Sequence, residues 1–323
     1  MKLYNRRMHV LDRLPKPVFI LAPMDDVTDT VFRQIIAGLA PPDLYFTEFV
    51  NVDGLQSPGR ERLMHKLRFS EKEHPIFAQL WGLKPQNFYK TVKEVRKMGF
   101  DGVDLNFGCP VKTVIKNGAC AALIKNRELA AEIIDASREA AGRDFPVSIK
   151  TRVGFTTVDM SWIEFLLSKK LDLLSIHGRT AKQKSNAPAD WSLIGKAREM
   201  RDVLCPSTLI VGNGDIASRQ EGLDLAKDYK LNGIMAGRGV FADPFLFAEQ
   251  SPWAGWTEQQ KINLYRKHIE LFASTWKNGE RRIETLNKFC KIYISGFDGA
   301  KELRERLMSR HSTDGLLKAL TDA

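Results

Sequence analysis

Only four cysteines occur in 323 residues, Cys109, Cys120, Cys205 and Cys290, and no two of them form a C-x-x-C pair. Such scattered cysteines argue against a disulfide framework and a zinc ribbon, and they fit a reducing compartment. Long apolar runs are also missing. The run Val18 to Ala22, preceded by Lys2, Arg6 and Arg7, is shorter than a signal-peptide core. Nothing approaches the roughly 18 apolar residues of a membrane span. A cytoplasmic protein with no membrane attachment is therefore expected. Histidine is scarce, with six in the chain, and His177 has no ligand partner at a recognisable spacing, so no metal is expected. Finally, no G-x-G-x-x-G follows the first apolar run, which counts against a doubly wound dinucleotide-binding sheet.

What is present suits a large folded core. The chain is 43% hydrophobic and 27% charged, with 49 Lys and Arg against 39 Asp and Glu, a formal net charge of +10. An excess of cations favours polyanions such as RNA, although many basic proteins bind none. The excess is denser in residues 251–323, which hold thirteen Lys and Arg against nine Asp and Glu.

Eight short apolar runs recur along the first 250 residues: Val18–Ala22, Leu44–Glu48, Ile76–Leu80, Gly102–Asn106, Val147–Lys150, Leu173–Ile176, Thr208–Val211 and Gly233–Ala236. Between them lie helical patterns. In Pro85 to Gly99, Phe88, Val92 and Val95 fall on one helical face. Asn126 to Gly142 opens on a capping Asn and closes on Gly. Strands alternating with helices indicate a TIM (β/α)8 barrel over residues 1–250. Beyond the Pro- and Trp-punctuated stretch Asp243 to Gln260, only helical patterns follow, so 251–323 is expected to be a small C-terminal all-helical domain.

Barrel enzymes place their chemistry at the C-terminal ends of the strands. Every predicted strand here ends in polar or glycine-rich residues. Pro23, Met24 and Asp25 follow the first, and Glu48 ends the second. Gln79 ends the third, and Asn106 ends the fourth with Cys109 just beyond. Lys150 and Arg152 end the fifth, and His177 opens the HGRT run after the sixth. Gly212-Asn213-Gly214-Asp215 and Gly237-Arg238-Gly239 end the last two. Those last two loops offer close backbone approach, N–H donors and a guanidinium, at the habitual phosphate site of this fold.

A phosphate at one end with Gln79, Lys150 and His177 nearby suits flavin mononucleotide (FMN). An amide can meet the carbonyl and N–H edge of the flavin ring, and a cation stabilises the charge gained on reduction. An aldolase with Lys150 as its Schiff-base lysine is the alternative, and it leaves Gln79 and Cys109 without a task. Cys109 itself stands open to four roles: buried filler, metal ligand, nucleophile or proton donor.

The runs APMDDVTDTVFR, TEFV, AQLWG, GVDLNFGCP, SIKTRVG, IHGRT, ADW, GNGDI and MAGRG occur here in the order found in tRNA-dihydrouridine synthases, and the chain resembles that family over residues 18 to 250. Phe289 to Leu307 is similar to the family's C-terminal helical domain. The resemblance implies an FMN enzyme that uses NADPH to reduce the C5–C6 double bond of particular uridines in tRNA. It implies that Pro23, Met24, Asp25, Gln79, Lys150 and His177 surround the flavin ring. Asn213, Gly214, Asp215, Gly237 and Arg238 would hold its ribityl phosphate. Asn106 and Arg152 would face the target uracil, and Cys109 would be the general acid. Two departures leave that chemistry intact and bear on the substrate loop. Cys120 stands where members often carry glycine, and 181–191 lacks the tyrosine many carry before ADW.

Uracil reduction puts hydride on C6 and requires a proton at C5. An ordinary thiol, with a pKa of about 8.5, is mostly protonated at neutral pH and can still give its proton up. The target base would be flipped out of folded tRNA into the site, with phosphate contacts offsetting the cost. Two other functions remain open: an FMN barrel reductase acting on a small pyrimidine or enone, and a tRNA-binding chaperone without redox chemistry. A monomer is expected.

Overall fold

The computed structural model describes residues 9–321, so Lys2, Arg6 and Arg7 lie outside the described residues. Nine strands form one parallel sheet: β1 (Val18–Leu21), β2 (Tyr45–Phe46), β3 (Val50–Asn51), β4 (Ile76–Trp81), β5 (Gly102–Phe107), β6 (Val147–Arg152), β7 (Leu173–His177), β8 (Leu209–Asn213) and β9 (Gly233–Ala236). Pairing runs β1-β9-β8-β7-β6-β5-β4-β2, and an Ile20–Leu44 bridge closes the ring. This is the expected (β/α)8 barrel, with one difference at the second strand. The predicted Leu44–Glu48 strand pairs regularly only at Tyr45–Phe46. At Thr47 the side-chain hydroxyl takes the Gln79 N–H at 3.0 Å, in place of a backbone carbonyl, and the chain leaves the ladder before rejoining β4 as β3.

Strand alternation sorts the side chains. Ile76, Ala78, Val103, Leu105, Val147, Ile149, Leu174, Ile176, Ile210 and Ile234 face outward into a core shared with the surrounding helices. Val18, Ile20, Phe46, Phe77, Leu173, Val211 and Met235 fill the lower barrel, plugged from below by Leu11. One step further along each strand, the inward positions become polar. Parallel register sets Asn106 beside Lys150, and sets Arg152, His177 and Asn213 in one row. The floor of the site is therefore a consequence of strand period and register.

The helices begin and end where their sequence signals lie. Pro85–Lys97 opens on its Pro, and Gly99, at φ +93°, follows its end. Asn126 caps Arg127–Ala141 by accepting the Leu129 N–H, and Gly142, at φ +71°, ends it.

After β9 no further strand forms among the described residues. Helices Glu258–Thr275, Asn287–Tyr293, Ala300–Met308 and Thr313–Thr321 follow. Their apolar faces join the barrel core without a break: Phe289 stacks on Phe32 of helix Thr30–Leu39 at 5.1 Å between ring centres. The contact also has a polar half. The buried Arg281 guanidinium reaches Glu48, Asp29 at 3.4 Å and Asp26 at 3.6 Å, and the Trp276 indole N–H donates to Asp29 at 3.3 Å. Burial pushes the Glu48 carboxyl up to about 7 despite Arg281 beside it. Removing one partner of such a cluster strands a buried charge. Arg281→Ala is expected to cost about 3–5 kcal/mol of stability, read as a fall in the urea midpoint.

Candidate active site

At the C-terminal mouth of the barrel lies a cavity of about 470 Å³, within the size range of cofactor sites. Its wall includes Pro23, Met24, Gln79, Asn106, Cys109, Lys150, Arg152, His177, Asn213, Gly214, Asp215, Gly237 and Arg238. The barrel thus brings together all the candidates read from sequence except Asp25. The Asp25 carboxylate lies outside the wall and pairs with Lys66. With Asp26 and Glu48 it forms an acidic group whose oxygens lie within 4.8 Å of one another, beneath the cations of Lys66 and Arg281.

The cysteine turn is built from below. Asp104, wholly buried, accepts from the Ser148 hydroxyl at 2.6 Å and from the Gln79 amide nitrogen at 2.7 Å. The Gln79 amide oxygen then accepts from Asn106 Nδ2 at 3.1 Å. Asn106 Oδ1 in turn takes the N–H groups of Gly108 at 3.1 Å and Cys109 at 2.9 Å. Burial raises the Asp104 carboxyl to about 6, with Ser148, Gln79 and Lys150 pulling the other way. Asp104 was missed as a site residue because an acid inside an apolar strand shows none of its partners in sequence.

Cations line the opposite wall. Lys150 donates to Asn213 Oδ1 at 2.9 Å, and burial together with Arg152 lowers its ammonium to about 8. Arg152 binds three carbonyls, Gly108 at 2.9 Å and Thr180 and Lys184 at 3.1 Å each, so it ties the cysteine turn to the loop after β7. Arg179 of the HGRT run, also unassigned from sequence, bonds His177 Nε2 at 3.1 Å and pairs with Asp215. A guanidinium only donates, so Nε2 must accept and Nδ1 carries the His177 proton. Burial and the cations Lys150, Arg152, Arg179 and Arg238 hold the imidazole neutral far below its ordinary range.

The glycine loops approach the cavity as their sequence implied. Gly214 sits at φ +137°, and a Cβ there would meet Ala189 at 2.5 Å. A Cβ on Gly239 would meet the Ile216 carbonyl at 2.2 Å. Burial works against the Asp215 charge, but Arg179, the Ala189 N–H and Arg238 outweigh it and hold the carboxyl below its usual range. Asp215 therefore organises two arginines, and Arg238 stays 61% exposed at the rim.

A family model described as dihydrouridine synthase matches residues 20–323. The chain belongs to the dihydrouridine synthase family. It is 44% identical over 302 residues to the "Probable tRNA-dihydrouridine synthase" of Staphylococcus aureus (strain Mu50 / ATCC 700699), spanning 93% of this chain and 90% of that protein. It is 43% identical over 312 residues to "Probable tRNA-dihydrouridine synthase 2" of Bacillus subtilis (strain 168), spanning 96% and 94%. Among solved structures, morphinone reductase superposes with a TM-score of 0.51 at 14% identity, over 72% of this chain and 85% of that one. That likeness concerns the barrel fold. Membership of the dihydrouridine synthase family makes the chain an oxidoreductase that forms dihydrouridine.

The Cys120 side chain packs against Cys109, and the neighbouring Cys120 thiol and Val111 N–H lower Cys109 to about 7 against the effect of burial. Sequence had marked Cys120 only as a departure from the family pattern.

The fixed imidazole leads to a spectroscopic expectation. Nitrogen NMR should show His177 as the neutral Nδ1–H tautomer across about pH 5 to 8, where an ordinary histidine titrates. A midpoint inside that window would contradict the buried, cation-flanked geometry.

Proposed function

We propose that the chain is a cytoplasmic tRNA-dihydrouridine synthase that carries FMN, takes electrons from NADPH and reduces the C5–C6 double bond of uridines in tRNA. One observation carries this reading. A single cavity has a glycine cradle and Arg238 at one end, a half-buried thiol at the other, and a lysine between them with a hydrogen bond only to Asn213 among its described partners.

The residues fit a flavin. Gly214 and Gly237 leave room beside the cavity that a side chain would take, and Arg238 offers an exposed guanidinium for a phosphate. Pro23 and Met24 form one wall. Gln79, Lys150 and His177 present an amide, an ammonium with two N–H groups to spare, and a neutral imidazole. Asp25, outside the wall, would contribute through Lys66. Bound there, a reduced flavin would supply the hydride for C6 of the uracil. Lys150 holds positive charge where the ring system gains negative charge. Asn106 and Arg152 shape the pocket facing the base, Arg152 by fastening its two loops. Cys109 then gives its proton to C5. A thiol with a pKa near neutrality is well matched to that transfer.

The RNA would lie across both parts of the molecule. Residues 251–323 form the proposed tRNA-binding domain, with Lys267, Arg282, Lys288, Lys291, Lys301 and Arg310 exposed. A second hollow beside the active site, lined by Lys112, Lys184 and Arg238, continues the positive surface toward the catalytic cavity. Phosphates would bind along this track, while the base enters the cavity.

Purified protein is expected to be yellow and to reduce tRNA uridine with NADPH; turnover of free uracil or a simple enone at a comparable rate would favour a small-molecule reductase instead. Cys109→Ala should lower reduction of tRNA about 10²–10⁴-fold, the usual worth of a general acid, with the flavin spectrum kept. In the RNA-binding measurement, log affinity should fall linearly with log salt, losing about 0.7 to 0.9 in slope for each phosphate neutralised. Affinity indifferent to salt would exclude the proposed track.

A further inference from the structure

The hollow beside the catalytic cavity has a volume of about 340 Å³, and its polar lining is Lys112, Arg152, His177, Lys184, Ser185 and Arg238. No carboxylate belongs to that lining. His177 is held neutral, so every charged group in the hollow is a cation. Neither the Lys112 nor the Lys184 ammonium has an acidic partner among the described residues. Arg238 has only the Asp215 carboxylate, at 3.4 Å, which Arg179 also uses. Cations gathered in one concavity without their own counter-charges repel one another, and a bound anion relieves that repulsion.

One of these cations is buried. Arg152 is 7% exposed and lines both the hollow and the cavity. Its Nε and Nη1 donate to carbonyls, whereas Nη2 has no hydrogen-bond partner among the described residues. Nor is Nη2 sealed inside the protein, so it opens onto the space that Arg152 lines. A guanidinium nitrogen in that position can only donate, and an oxyanion is its natural acceptor.

The walls of the hollow are set in advance. Pro110 to Lys112 continue the cysteine turn, and Lys184 and Ser185 lie on the loop after β7. Arg152 binds a carbonyl on each side, Gly108 at 2.9 Å and Lys184 at 3.1 Å. Lys184 takes left-handed backbone at φ +50°, and its N–H donates to the Ala181 carbonyl at 3.3 Å. Pro110, Arg152, His177 and Arg238 line both spaces, so an anion in the hollow adjoins whatever fills the cavity. Gly214 and Gly237, the cradle assigned to the flavin phosphate, line the cavity and not the hollow. The hollow is therefore a second anion site.

We propose that this hollow seats the phosphate of the target nucleotide itself, with Lys112, Lys184 and Arg152 on the phosphate while the uracil of the same nucleotide occupies the cavity. This rests on uridine being the base reduced there. Held at both base and phosphate, the nucleotide has little freedom to turn, and the contact offsets the cost of flipping at the very residue that flips.

Uridine, uridine 5′-monophosphate and uridine 3′-monophosphate separate the phosphate from the base. Their binding to flavin-loaded protein is followed at low salt through the flavin absorbance. At least one monophosphate should bind about tenfold or more tightly than uridine, the worth of one hydrogen bond to a charged group. The double variant Lys112→Ala, Lys184→Ala should remove that preference by weakening the monophosphate. It should also lower the salt slope of tRNA binding by about 0.7 to 0.9, one phosphate's share. Equal affinity for uridine and both monophosphates overturns the proposal, and so does a preference that survives the double variant. A double variant whose main loss is in flavin reduction by NADPH without tRNA overturns it as well, because the hollow then serves the phosphates of the reductant. Failure of the functional reading looks different: protein without flavin, or flavin-loaded protein that leaves tRNA unreduced.

Discussion

The chain of hydrogen bonds that starts at the Asp104 carboxylate orders everything on its side of the cavity. An ionised carboxylate only accepts, so the Gln79 nitrogen must face it and the Gln79 oxygen must face Asn106. Asn106 then has its own oxygen free for the N–H groups of Gly108 and Cys109. One buried charge thereby settles two amide orientations and the position of a thiol. Such a network stabilises only if each member is satisfied. Here each amide bonds a group from a neighbouring strand or from the turn it supports. The cost appears at Asp104, whose burial raises it to about 6.

Across the cavity the same logic runs with opposite sign. Lys150, Arg152, Arg179 and Arg238 gather around one imidazole, which can only remain neutral in their company. Lys150 is held by an amide and Arg152 by carbonyls, and Arg179 and Arg238 share the one carboxylate of Asp215. The wall therefore keeps a net positive field, suited to a phosphate at the rim and to charge developing on a ring within. Arg152 joins the two halves: its bond to the Gly108 carbonyl touches the very turn that Asn106 caps from below.

Much of this was legible from residues in order. Polar strand ends after apolar runs located the barrel mouth, since strand period alone carries side chains inward at every second position. Gln79, Lys150 and His177 could be named because each lies at or near the end of a strand, and Cys109 because it follows one closely. Partners contributed by other strands could not. Asp104 gains its meaning from Gln79 and Ser148, and the divided second strand depends on a hydroxyl from Thr47 meeting β4. Asp25, in the same loop as wall residues Pro23 and Met24, turns instead to Lys66, a cation from the later short helix His65–Leu67. Cys120 could be flagged as out of pattern, but its contact with Cys109 requires the turn at Gly118.

Arg281 shows how far such partners reach. It lies in the segment after the barrel, yet its guanidinium ends among Glu48, Asp29 and Asp26 at the barrel mouth. Glu48 also accepts the Asp26 N–H at 2.7 Å, which fixes the loop that carries Asp25. Lys288 donates to the Asp26 carbonyl at 2.8 Å, and Arg68 donates to the Thr275 carbonyl at 2.7 Å. These bonds, with the Phe32–Phe289 stack, leave the helical segment little freedom to pivot on the barrel. A rigid joint keeps the distance from these helices to the cavity constant. The same joint places the Asp25 carboxylate where it acts on the Cys109 proton. The placement of the helical segment and the acidity of the thiol thus meet on one loop, Asp25 to Asp29, whose short acidic run carries contacts between the two parts of the chain.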